Sequence, residues 1–149
     1  MLESARRTAW FALLALVLAL PGCHRSSPEQ RLRESMLALQ SAIEERDPTA
    51  MHEWLAEDFV GPDGLDREGA RRLAQLMYLR YRDVDISLGP LQIELQQEHA
   101  SVRFTAVLTG GPGGLLPERG QVYDVQTGWR LEGGEDWRLT SANWSSAMQ

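Results

Sequence analysis

The sequence predicts an α+β fold of three helices followed by a mostly antiparallel, four-stranded sheet. Three observations carry that expectation. Apolar residues recur at helical spacing between Pro28 and Tyr81, and after Arg82 the period drops to two. Asp, Pro and Gly punctuate the changes of period. Helices gathered before strands, rather than alternating with them, make an α+β order. The 149 residues suit one domain, and 43% apolar with 24% charged residues is an ordinary globular composition.

The N-terminus reads as a processing segment. Arg6 and Arg7 precede an apolar run from Ala9 to Leu20, and Leu20-Pro21-Gly22-Cys23 follows it. Twelve helical residues at ~1.5 Å rise span about 18 Å, short of the ~30 Å hydrocarbon core, so the run is a signal-peptide core and not a membrane span. Leu20-Pro21-Gly22-Cys23 resembles the bacterial lipobox, in which a small residue precedes an obligatory Cys, although Pro21 departs mildly from the commonest pattern. The resemblance implies cleavage after Gly22, lipidation of the Cys23 thiol and acylation of the new amino terminus. An ordinary secretory signal with a coincidental Cys is the competing reading. Against it, the only Cys of the chain stands directly behind the apolar run. His24, where lipoproteins kept at the inner membrane carry Asp, implies the outer membrane of a bacterial cell envelope, with the chain facing the periplasm. The expected division is a signal peptide at 1–22, an acylated Cys with a short tether at 23–28, a domain at 29–146 and a tail at 147–149.

Within the domain, Leu32, Met36, Leu39 and Ile43 form one helical stripe from Pro28 to Arg46. Asp47-Pro48 closes that helix and opens the next, Asp as N-cap and Pro at the first helical position. Met51, Trp54 and Leu55 make the short apolar face of the second helix. Gly61-Pro62-Asp63-Gly64 is a turn, and Asp66 caps a third helix whose Ala70, Leu73, Ala74, Met77 and Tyr81 share a face.

Val84, Ile86 and Leu88 alternate, and Leu91, Ile93 and Leu95 alternate in the opposite parity, so one strand bends or bulges at Gly89-Pro90. A two-residue turn at Gln97-Glu98 sets Leu95 against Ala100 and Ile93 against Val102, which gathers the apolar groups on one face. Gly110 to Gly120 is a Gly/Pro-rich connection. For the last hairpin, a three-residue loop from Gly133 to Glu135 sets Trp129 against Leu139 and Leu131 against Trp137. A two-residue loop would put Arg138 on the apolar face, so the longer loop is expected, with Gly134 at positive φ.

The element order, the Arg46-Asp47 joint, the phrase from Trp54 to Phe59, and the segments Trp129-Arg130-Leu131 and Trp137 to Ala142 together resemble the nuclear-transport-factor-2-like superfamily over residues 29–146. That resemblance implies a curved sheet wrapped around helices, a cone with a pocket at its open end. The superfold hosts isomerases, dehydratases, cyclases and carrier modules, so it does not choose a function. Its enzymes place an acid–base Asp, His or Tyr in the cone.

The candidates for that role here are His52, Asp58, Tyr78, Tyr81, His99, Tyr123 and Asp124. His52 lies off the apolar face and reads as solvent-facing. His99 belongs to a hairpin tip, Asp58 to the turn at Gly61, and Asp124 to the face opposite Tyr123. Tyr78 and Tyr81, with Asp58 and Trp54, are the expected pocket lining, because the third helix borders the mouth of such a cone. Trp144 falls in opposite parity to Trp129 and Trp137, hence on the exposed sheet face unless a bulge intervenes. There it would anchor a homodimer.

Other chemistries fail on their residues. A net charge of −6 argues against nucleic acid. One Cys excludes an intramolecular disulfide and a multi-Cys zinc site, and three scattered His have no metal-ligand spacing. Gly110 to Gly114 lacks the Lys-Ser/Thr and the helix of a phosphate loop. Arg71, Arg72, Arg80 and Arg82 form a basic cluster on the third helix, read as a solvated face beside Asp83 and Asp85, with lipid headgroup contact the lesser reading. No catalytic residue, cofactor or metal is assigned. The expectation is a membrane-anchored lipoprotein whose cone binds a small apolar ligand or an envelope protein, the alternative being an isomerase- or dehydratase-like enzyme on an apolar substrate.

Overall fold

The structure, a computed structural model, describes residues 25–111 and 120–147. The signal peptide, the lipobox with Cys23, most of the Gly110–Gly120 connection and residues 148–149 lie outside them. The elements are α1 (Pro28–Glu44), α2 (Pro48–Glu53), β1 (Leu55–Val60), a 3-10 turn (Pro62–Gly64), α3 (Arg67–Arg80), β2 (Asp83–Leu88), β3 (Gln92–Gln96), β4 (His99–Gly111), β5 (Gln121–Glu132) and β6 (Asp136–Ser146).

Each helix begins at a side-chain cap that satisfies otherwise unpaired backbone N–H groups. Ser27 Oγ accepts from Gln30 N at 3.1 Å, Asp47 from Thr49 N and Ala50 N at 3.0 and 2.9 Å, and Asp66 from Gly69 N at 2.6 Å. The reversal between α1 and α2 passes through Arg46 at φ 58. Arg46 also donates to the carbonyls of Tyr78 and Arg82, the latter at 3.1 Å, and so places a cation at the C-terminal end of α3.

The sheet has the order β1-β6-β5-β4-β2, with β3 also on β4. It has six strands where four are expected, for two reasons. Leu55 to Val60, read as a helix end and a turn, is a strand running parallel to β6 from Leu55↔Leu139 to Val60↔Ser141. Its adjacent buried pair Leu55-Ala56 and exposed pair Glu57-Asp58 break strict alternation. Second, the strand expected to bend at Gly89-Pro90 is two strands that share β4: β2 pairs with Ala106 to Gly111 and β3 with His99 to Arg103. The Gln97-Glu98 turn and the Gly133–Glu135 loop have the expected registers, Ile93↔Val102, Leu95↔Ala100, Trp129↔Leu139 and Leu131↔Trp137. Gln97 takes φ 52, and Gly133 and Gly134 take φ 62 and 77.

Between Gly128↔Ser141 and Trp129↔Leu139 the β6 strand carries one extra residue, Thr140. This bulge corrects the expectation for Trp144. It resets the parity of β6, so Trp144 stands opposite Val125 on the same face as Trp129 and Trp137.

That face is the inner one. Trp137, Leu32 and Val102 are fully buried there and Trp129 nearly so, packed with Met36, Leu39, Met51, Leu55 and Phe59. Both buried indoles have acceptors: Trp137 Nε1 donates to Pro28 O at 3.1 Å and Trp129 Nε1 to Thr127 Oγ1 at 2.9 Å. The third helix is oriented differently from the expectation. Ala70 and Ala74 pack on the core and Tyr78 is buried, whereas Leu73 and Met77 are 43% and 40% exposed.

Candidate functional site

Helix α1 crosses the inner face of the sheet from β6 to β2. Its start is held by the Trp137 bond to Pro28 O. Near its end, Gln40 Nε2 donates to Ile86 O at 2.8 Å and Glu44 Oε1 accepts from Ile86 N at 2.9 Å. Beyond this cover the inner face continues as cross-strand rows: Phe104–Val125–Trp144, then Ala106–Tyr123–Ser146. Trp144 is 47% exposed, Leu108 at the far end 38%, and Phe104, Val125 and Tyr123 are half-buried. The Tyr123 hydroxyl donates to Gln121 Oε1. This is an apolar, aromatic surface with a polar handle, on rigid strands, and it is the candidate site.

The other side of the same strands is polar. A shallow groove of about 700 Å³ is lined chiefly by the rows Arg103–Gln126–Asn143 and Thr105–Asp124–Ser145. A second open groove, about 760 Å³, lies beside Arg25 and Ser26 and includes Trp54, with Arg31, Glu34 and the Gly133–Asp136 loop.

Among the sequence-predicted site residues, Trp144 belongs to the uncovered row. Trp54 sits instead at the end of α2, its ring under the Arg138 guanidinium at 5.2 Å, and lines the groove beside the N-terminal segment. Tyr78 is buried in α3 against Arg46, whose guanidinium lies 5.9 Å from the ring centroid. Burial raises its phenol pKa, and the nearby Arg46 charge works in the opposite direction. Tyr81 is half-buried just past the end of α3. Asp58 is neither a turn cap nor beside the tyrosines. It projects from β1 with 65% of its side chain exposed and takes two bonds from Arg130, at 2.8 and 3.0 Å. Those bonds hold the Asp58 carboxyl below its ordinary value. Arg130 also bonds Glu132 at 2.8 Å. The structure therefore does not bring Trp54, Asp58, Tyr78 and Tyr81 together around one cavity.

His52, expected to face solvent, has a side chain only 20% exposed, with Nε2 2.6 Å from Glu68 Oε1. Arg71 reaches the same carboxylate at 3.3 Å. The His52 bond is the main cause of the lowered Glu68 pKa. This pair ties α2 to α3. Sequence reasoning missed it because sixteen residues separate the partners and only the packing of two helices joins them. Asp124 is exposed on the outer face, within 3.4 Å of the Thr105 hydroxyl, and His99 is exposed at the start of β4. Among the described residues, no group of three His, Cys, Asp or Glu side chains is placed to hold a metal ion, and no helix is long and apolar enough to cross a membrane.

No family model matches the chain, and no curated protein matches it. Solved structures do resemble its fold. A candidate dehydratase from the nuclear-transport-factor-2-like family of Streptomyces avermitilis superimposes with a TM-score of 0.69 at 18% identity, over 83% of this chain and 100% of its own. A nuclear-transport-factor-2-like protein with a cystatin-like fold from Novosphingobium aromaticivorans gives 0.67 at 15% identity, over 95% of this chain and 90% of its own. Bd1075 of Bdellovibrio bacteriovorus gives 0.68 at 13% identity over 78% of this chain, which spans only 41% of that longer protein. The chain thus has the nuclear-transport-factor-2-like α+β fold, with three α-helices against a six-stranded sheet among the described residues.

Proposed function

We propose that the chain is a bacterial envelope lipoprotein, acylated at Cys23 and held at the outer membrane facing the periplasm. Its cone is a non-catalytic module that binds a small apolar ligand or an envelope protein. The observation that supports the binding role is the uncovered row Phe104–Val125–Trp144, which continues the core surface into solvent. The carboxylates stand elsewhere: Asp58 is engaged by Arg130, Glu68 by His52, and Asp124 faces outward. General acid–base catalysis needs a tuned group inside the pocket. The anchor is supported by the lipobox resemblance and by the short tether, and one acyl chain alone would hold only weakly.

Two measurements test this reading. Intact mass and fractionation of the native chain beside Cys23→Ser should show three added acyl chains and an outer-membrane location for the native form alone. A soluble, unacylated native product would sink the anchor. For the binding surface, Trp144→Ala should weaken uptake of an apolar fluorescent probe on the order of tenfold, and unchanged uptake would place the binding surface elsewhere.

A second reading, an isomerase- or dehydratase-like enzyme, is favoured by the likeness to the Streptomyces candidate dehydratase. It would rest on Tyr78, the buried ionisable group of the expected set. Turnover of an apolar substrate that disappears in Tyr78→Phe with the fold intact would establish it. A homodimer through the outer sheet face would have to use the polar rows around Arg103 and Asp124, because Trp144 is on the inner face.

A further inference from the structure

Exposed large apolar side chains concentrate on one helix. On α3, Leu79 is 86% exposed, Leu76 64%, Leu73 43% and Met77 40%. At 100° per residue Leu76 and Leu79 fall opposite Ala70, Ala74 and Tyr78, with Arg72 and Arg80 on the same side and Leu73 at its flank, while Met77 lies beside Ala70 at the edge of the packed face. Arg72, Arg80 and the neighbouring Arg82 are exposed, and among the described residues none of the three makes an ion pair. The acid of the first turn, Glu68, is turned to His52 and Arg71, and the nearest free carboxylate at the far end is Asp83. An apolar and cationic helix face therefore stands out on a chain whose net charge is −6.

We infer that this face of α3 docks on an anionic phospholipid bilayer. Leucine side chains enter the headgroup boundary while arginines keep their guanidinium groups at phosphate level. A cationic face also gains from the negative surface potential of such a bilayer. A second copy of the chain is a poorer occupant, because a two-fold contact through α3 would bring Arg72 and Arg80 toward their own counterparts while desolvating them. The acidic remainder of the surface is repelled by the same bilayer, which leaves α3 as the face of approach. The orientation rests on the lipid-anchor reading. A tether from Cys23 to Pro28 reaches at most about 18 Å when extended, which keeps the folded part close to the lipid.

The test uses the full chain with Cys23→Ser, so that only one thiol can be labelled, carrying Leu79→Cys or Leu76→Cys, both at exposed positions, labelled with an environment-sensitive fluorophore. Vesicles of phosphatidylglycerol and phosphatidylcholine are compared with phosphatidylcholine alone. On the anionic vesicles the label should shift to the blue and lose quenching by aqueous iodide on the order of threefold. A label at Glu94→Cys should stay quenched, and replacing Arg72, Arg80 and Arg82 together by Gln should abolish the protection. Equal quenching of the Leu79 and Glu94 labels on vesicles would overturn the inference. So would protection that grows with protein concentration in the absence of lipid, the signature of a second copy. The intact mass of the native chain reports the anchor separately, so the two readings fail independently.

Discussion

Helices α1 and α3 begin alike and end in opposite circumstances. Each starts at a hydrogen-bonded side-chain cap, and each carries leucine, methionine and alanine at helical spacing. In α1 the long side chains Leu32, Met36 and Leu39 are buried against both tryptophans of the core. In α3 the inward positions hold Ala70, Ala74 and Tyr78, and the leucines point out. Small residues inward let a helix sit close to its neighbours, so the apolar bulk of α3 is free for something outside the fold. The comparison teaches that an amphipathic period locates an apolar face but does not say which side the core occupies.

The largest test of the contrast is Leu32→Ala against Leu79→Ala. The first empties a fully buried position and should cost about 2–5 kcal/mol in urea unfolding. The second should stay within about 0.5 kcal/mol, as for an exposed site. Comparable losses would mean that α3 is covered by another part of the chain. Next in size are the caps: Ser27→Ala and Asp66→Ala should each lower stability by about 1 kcal/mol, since each removes one acceptor from a helix N-terminus. Equal losses would show that the two helices differ in their faces and not in how they start.

The smallest effect is pH-dependent and belongs to α3. Its Glu68 carboxyl is held below its ordinary value by the His52 hydrogen bond. A depressed folded-state pKa stabilises the fold above the unfolded value, and this contribution is lost as pH falls through the folded value. Acid unfolding followed below about pH 4.5 should therefore be shallower in Glu68→Gln than in the native chain. A matching slope would detach this pair from the seating of α3.

Much of the fold is legible in the sequence because local rules and burial agree. Asp47-Pro48 announces a cap, and the cation at Arg138 rejects the shorter of two hairpin loops. Where the rules are silent, the sequence misleads. Strand β1 shows no alternation because Leu55 and Ala56 are both buried and its parallel register to β6 slips. Leucine and alanine register alike in a helical period, so the sequence cannot show that α3 turns its leucines away. The candidate site was the least legible part. Trp144 changes faces through Thr140, and the partners Asp58 and Arg130 are 72 positions apart, beyond the reach of any local pattern.

Thr140 has one more consequence. A strand keeps its two faces apart by counting in twos, and β6 restarts its count at this residue. The strand is therefore written in two reading frames: Trp137 and Leu139 in the first, Ala142 and Trp144 in the second. Keeping that residue but pairing it as an ordinary ladder position, without the bulge, would exchange the sides of everything after it. Asn143 and Ser145 would then face the core, and the indole of Trp144 would be exiled to the polar groove. Flattening the bulge would thus act as a transposition of surfaces, whereas deleting Thr140 would leave Trp144 opposite Val125 and remove only the local bend.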